Sequence, residues 1–128
     1  MKITLIAKSV ASASIESLQK SEEKKRTKIS VKLENEIFEN QKKATVFRVR
    51  YVSSVTIEGI AQVEVAYNFD FESESEFSEE LVKSDVMKVT APSLAYPYIK
   101  IYVENLISMS GLGNFTLPYF DFFESPFE

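Results

Sequence analysis

The fold is decided by residues 47–71, Phe47-Arg48-Val49-Arg50-Tyr51-Val52-Ser53-Ser54-Val55-Thr56-Ile57-Glu58-Gly59-Ile60-Ala61-Gln62-Val63-Glu64-Val65-Ala66-Tyr67-Asn68-Phe69-Asp70-Phe71. Before the glycine, Phe47, Val49, Tyr51, Val55 and Ile57 fall on odd positions, with Arg48, Arg50, Ser54, Thr56 and Glu58 between them. After it, Ala61, Val63, Val65, Tyr67, Phe69 and Phe71 alternate with Gln62, Glu64, Ala66, Asn68 and Asp70. A period of two puts alternate side chains on opposite faces of a strand, so both runs predict strands with one face in a core and one in water. Glu58-Gly59 marks the reversal between them.

Working toward the N-terminus, Ile29, Val31 and Leu33 alternate with Lys28, Ser30, Lys32 and Glu34, and Asn40-Gln41-Lys42-Lys43 supplies the turn into the next strand. Lys2 to about Ala13 is rich in Ile, Val and Thr and reads as a first strand. The charged run Ser21 to Arg26 reads as a solvated loop joining these two strands. The product is a four-stranded antiparallel sheet with one wet face.

Toward the C-terminus, Glu72 to Glu80 is acidic and rich in Ser, and Ser78 reads as the N-cap of a short helix with a staple between Phe77 and Val82. Pro92 closes that connection, and Pro97 opens a main helix over about 97–110. In that helix Tyr98, Ile99, Ile101, Tyr102, Val103, Leu106, Ile107 and Met109 cover most of the circumference. Lys100, Glu104 and Ser108 leave one narrow polar stripe. A helix lying on a sheet needs only a one-sided apolar stripe, so the surplus calls for a second subunit. Tyr98, Ile101, Tyr102, Val103 and Leu106 are the expected contact residues of a homo-oligomer. Gly111 reads as the C-terminal cap. The expected class is α+β, with residues 1–128 forming a single domain.

The chain has 128 residues, 45% hydrophobic and 27% charged, with no Cys and no His. Losing both removes thiolate chemistry, the usual zinc ligands and the commonest general acid/base at neutral pH. Glu22-Glu23 and Glu79-Glu80 are paired carboxylates without a convergent base, and three glycines make no phosphate-cradling loop. No catalytic residue, metal site or cofactor is expected, and the chain reads as a non-enzyme. A net charge of −4 with interspersed signs argues against nucleic acid. Met1 to Ala7 imitates a signal peptide, but Lys8 cuts its apolar run short, so a cytoplasmic protein without membrane insertion is expected.

Ala91-Pro92-Ser93-Leu94-Ala95-Tyr96-Pro97-Tyr98-Ile99-Lys100 resembles the segment that leads into the main helix of SecB export chaperones. Val103, Leu106 and Ile107 fall on that helix's apolar positions. Ser110-Gly111 falls near its terminal glycine, Phe115-Thr116-Leu117 takes the place of Leu-Asn-Leu, and Asp121-Phe122 that of Asn-Phe. Tyr96 stands for Phe, Lys100 for Arg, Gly113 for Pro, and Pro118-Tyr119 for Ala-Pro. The family's second helix and acidic tail are expected to be missing or cut short beyond Glu128.

The resemblance implies a helix packed on the four-stranded sheet, dimers through sheet and helix contacts, and tetramers as dimers of dimers. It implies an ATP-independent holdase that binds unfolded, export-bound polypeptides in apolar grooves and passes them to the SecA motor, supporting protein transport. Two alternatives share the fold: a dedicated chaperone for one client, such as the antitoxin of a toxin–antitoxin system, and an oligomeric scaffold or adaptor without client binding. Groove candidates are Phe38, Phe77, Phe115, Leu117, Tyr119, Phe120 and Phe122, all of which can instead close the core. SecA docking on an acidic sheet face would use Glu58, Glu64 and Asp70, a charge that Arg48 and Arg50 dilute.

Overall fold

The computed structural model describes residues 2–18 and 28–127. The expected charged loop, Ser21 to Arg26, lies outside the described residues. Four strands form one antiparallel sheet: β1 (Ile3–Ser17), β2 (Ile29–Glu39), β3 (Val46–Ile57) and β4 (Ala61–Ser73). Their spatial order is β1-β4-β3-β2. Two tight hairpins join β2 to β3 to β4, and β1 lies against β4, a Greek-key order. Asn40 Oδ1 accepts from the backbone N–H of Lys42 and Lys43, which sets the first turn. Gly59 takes the left-handed conformation (φ +77°) that the second turn requires.

The odd-numbered residues of β3 and β4 point into the core as their alternation requires: Phe47, Val49, Tyr51, Val55, Ile57, Val63, Val65, Phe69 and Phe71 are all 1% exposed or less. Ser53, a polar residue in the middle of that row, donates its hydroxyl to Val65 O at 3.4 Å. The even-numbered face carries a cross-strand chain of hydrogen bonds. Thr56 Oγ1 donates to Gln62, whose amide donates to Ser54, whose hydroxyl donates to Glu64.

β1 extends four residues past the expected end near Ala13, to Ser17. Its register against β4 slips between Leu5 and Ala7 and again between Val10 and Ser12. Each bulge adds one residue and turns the following side chains to the other face. Ile3, Leu5, Val10 and Ile15 therefore share the core face, although no single alternation connects them.

Ser78 caps the short helix α1 (Glu79–Lys83), its hydroxyl accepting from the Leu81 N–H at 3.2 Å. A π-helical turn, Val86–Thr90, runs directly into the main helix α2 (Ala91–Met109). The expected start at Pro97 is corrected by this: α2 begins six residues earlier and Pro97 lies inside it. Pro92 follows the π-helical turn without a break, and the Lys88 carbonyl four residues before it accepts instead from the Phe127 N–H at 2.8 Å. At Pro97 the Ser93 carbonyl loses its helical donor, a defect of about 3 kcal/mol in an isolated helix. Ala91, Ala95 and Tyr96, each 3% exposed or less, pack the first turns against the rest of the chain and carry the helix through.

α2 lies against β4 and β1 along the stripe Ala95, Ile99, Val103 and Ile107. It ends in a Schellman motif: Gly111 (φ +77°) donates to Ser108 O and Leu112 donates to Ile107 O.

Candidate binding surfaces

The polar stripe of α2 holds the returning chain. Glu104 Oε2 accepts from Lys100 Nζ at 2.8 Å and from the Leu117 N–H at 2.7 Å. Ser108 Oγ donates to Asn114 Oδ1 at 2.8 Å, and Tyr96 Oη donates to Pro118 O at 2.7 Å. These three attachments draw residues 114–118 along the helix and fix the direction of the aromatic segment beyond.

That segment builds a wall of tilted and edge-on aromatic rings. The Tyr96 ring centroid lies 4.9 Å from that of Phe120 and 6.3 Å from that of Phe122. Phe122 lies 6.4 Å from Phe127, which meets Tyr51 edge-on at 5.8 Å over the sheet. Between wall and helix is a hollow of about 300 Å³ lined by Ser93, Tyr96, Pro97, Lys100, Tyr119, Phe120, Phe122 and Phe123. Tyr119 and Phe123 stand at 80% and 76% exposure, far beyond what two large rings show in a finished core. Burial pushes the Tyr96 hydroxyl up to about 12, with the Glu104 carboxylate adding to the effect.

The seven groove candidates separate. Phe115, Leu117, Tyr119, Phe120 and Phe122 share the segment after α2. Within it Leu117 and Phe122 are buried, Phe115 and Phe120 are half-buried, and Tyr119 stands free. Phe77 packs on Phe47 with centroids 5.9 Å apart, at the end of the sheet. Phe38 pairs with Arg48 in register, which puts it on the sheet face opposite α2.

Of the five expected contact residues on α2, Val103 is fully buried within the chain itself. Tyr102 and Leu106 are half-buried, and Tyr98 and Ile101 are exposed. Leu94, Tyr98, Ile101 and Met109 form an apolar strip on the far side of α2, with Tyr98 at its margin, 6.3 Å from the Phe69 ring of β4. Lys8 sits over the Tyr98 ring at 5.0 Å from its centroid.

The three candidate acidic residues do not form a patch. Asp70 is held by Arg48 in a two-pronged ion pair, Nε to Oδ1 at 2.7 Å and Nη2 to Oδ2 at 3.1 Å. Hydrogen bonding to Asp70 in turn raises the Arg48 pKa. Glu64 lies six residues along β4, about 20 Å away at strand rise. Glu58 sits beyond it in the turn.

Among solved structures, the chain matches the Mycobacterium tuberculosis Rv1957 SecB-like chaperone, in complex with a ChAD peptide from the Rv1956 HigA1 antitoxin. The TM-score is 0.78 at 17% identity, over 93% of this chain and 91% of that one. The chain has the SecB-like fold. A protein of unknown function from Streptococcus agalactiae also overlays, with a TM-score of 0.47 at 13% identity, over 93% of this chain and 98% of that one. No family model and no curated protein sequence matches.

On this SecB-like frame, two features escaped the sequence. Phe123 is the second exposed ring of the hollow, and its signal was present only as part of an aromatic-rich tail. The grouping of Phe38, Arg50 and Asn68 on the outer face requires the register of β2, β3 and β4, which alternation alone does not set. No described helix is long and apolar enough to cross a membrane.

Proposed function

We propose that this chain is a subunit of a homo-oligomeric, nucleotide-independent chaperone, not an enzyme, that holds extended polypeptide segments in the hollow between α2 and the aromatic segment. The observation that carries this reading is the pair of exposed rings, Tyr119 and Phe123, flanking a hollow floored by Tyr96, Phe120 and Phe122. Aromatic walls accept many apolar side chains at low ordering cost, which suits an unfolded client.

A dedicated client is favoured over general export because the neighbour of the same fold was solved with an antitoxin peptide. Transfer to SecA is not part of this reading, since Glu58, Glu64 and Asp70 lie apart and Arg48 neutralises the last. Self-association uses the strip of Leu94, Tyr98, Ile101 and Met109. The cytosol is the expected compartment.

The test is light scattering of a denatured, unrelated protein diluted into equimolar wild type or a Tyr119→Ser/Phe123→Ser variant. Wild type suppresses aggregation and the variant loses most of that effect while keeping its circular dichroism. Equal suppression by both removes the hollow as the client site. No suppression by wild type at any ratio counts against both the general and the dedicated chaperone readings.

A further inference from the structure

The sheet face opposite α2 carries a second kind of recognition element, at the corner where β2 turns into β3. Arg48 and Arg50 lie two residues apart on β3, and they are treated differently. Arg48 is saturated by Asp70. Arg50 has no carboxylate partner among the described residues. Its Nε donates to Asn68 Oδ1 at 2.8 Å, and its guanidinium lies over the Phe38 ring, 5.2 Å from the centroid. Asn68 is directly opposite on β4 and only 6% exposed, and Phe38 is the diagonal neighbour on β2. The guanidinium is thus clamped between an amide and an aromatic face, and among the described residues its terminal N–H groups make no hydrogen bond to the protein.

A fixed, stacked guanidinium with free terminal donors matches the two oxygens of a carboxylate. Beside it a hollow of about 330 Å³ is lined by Phe38, Glu39, Val46, Phe47, Arg48 and Asp70, among others. Phe38 is 39% exposed there, an apolar surface next to a guanidinium that makes no ion pair among the described residues. Glu36 lies opposite Arg50 in register without an ion pair to it, and Glu39 stands at the rim.

We propose that this corner docks a protein segment through one acidic side chain, which pairs with Arg50 while an adjacent apolar residue covers Phe38. Glu36 and Glu39 set the flanking preference, favouring basic over acidic residues beside the recognised acid. The surface lies across the sheet from the proposed client hollow and stands independently of the chaperone reading. The partner so selected presents an acid to the outer face, the reverse of a partner drawn by an acidic face.

The test is a titration of the ¹⁵N-labelled full chain with a capped peptide, Lys-Glu-Leu-Lys, and with its Lys-Gln-Leu-Lys counterpart, following the Arg50 Nε–Hε resonance. The glutamate peptide shifts that resonance and the Phe38 amide saturably, and the glutamine peptide binds at least about tenfold more weakly. Raising salt weakens both peptides through their lysines, and the glutamate peptide more steeply. Arg50→Lys, which keeps the charge and loses the fork, weakens binding by about tenfold, and Phe38→Ala does so with Arg50 intact. Circular dichroism confirms that both variants remain folded. The proposal is overturned if both peptides bind alike, if free acetate binds as well as the peptide, or if Arg50→Lys leaves affinity unchanged. It is overturned equally if the shifts map to Tyr96 and Tyr119, or if no saturable shift occurs.

Discussion

Glu104 is one of three side chains by which α2 holds the segment that follows it, and replacing it isolates the strength of its own attachment. Its Oε2 accepts two hydrogen bonds, from Lys100 Nζ at 2.8 Å and from the Leu117 N–H at 2.7 Å. Leu117 is 2% exposed, so in Glu104→Ala its N–H is left buried beside an empty space. A hydrogen bond to a charged acceptor contributes about 1.5–3 kcal/mol, and an i,i+4 ion pair adds about 0.5. The expected loss is about 2–3 kcal/mol, read as a lower urea midpoint at fixed protomer concentration with the slope unchanged. Glu104→Gln keeps an acceptor for Leu117 and loses about half as much. Hydrogen exchange supplies the local check, since the Leu117 amide loses protection in the alanine variant while amides in β3 and β4 change less. A loss under about 0.5 kcal/mol, or unchanged protection at Leu117, refutes the attachment.

Ile101 and Val103 lie two residues apart on opposite sides of α2, and aspartate at each separates assembly from folding. Ile101→Asp leaves a folded chain of lower mass by light scattering, because Ile101 is 56% exposed; an unchanged mass removes the apolar strip as a contact. Val103→Asp, in a fully buried position, costs about 4 kcal/mol or more and unfolds the chain instead. The raised Tyr96 pKa gives an alkaline signature. The folded state keeps its proton longer than the unfolded one, so this stabilisation is present below the ordinary tyrosine value near 10 and is lost as pH rises through about 12. Buried Tyr51 acts in the same direction. Urea midpoints fall between pH ~10 and ~12 at up to about 1.4 kcal/mol per unit for each such group, and Tyr96→Phe flattens part of that slope. An equally steep fall in the phenylalanine variant contradicts the assignment.

How much the sequence disclosed depended on the periodicity of each segment. β2, β3 and β4 were legible because most of their apolar residues hold to odd positions, with Phe38 and Val52 among the exceptions, and the Ser78 cap and Gly111 terminus followed from local chemistry. The end of β1 was not, because residues 6 and 11 are bulged and shift the apolar positions out of phase. The start of α2 was misplaced because two prolines five positions apart suggest a boundary. Packing of Ala95 and Tyr96 overrides that local preference. In the candidate site, the aromatic tail announced itself by composition. Which rings are wall and which are free was set by attachments to Glu104, Ser108 and Tyr96, which no spacing rule displays. Phe38, a groove candidate by sequence, lies on the sheet face opposite the hollow, and its neighbours Arg50 and Asn68 belong to other strands.

The order of the strands also governs how the molecule is made. β2, β3 and β4 pair through short hairpins, whereas β1 meets β4 through residues as distant as Ile3 and Ser73. Contacts so far apart in sequence form late and slowly. Until β1 arrives, the backbone edge of β4 is open along Val63, Val65 and Tyr67, which is the template on which strands of different chains associate. A newly synthesised copy therefore passes through a sticky stage of its own, and refolding yield should drop with concentration more steeply than for a sheet whose strands pair only with their sequence neighbours.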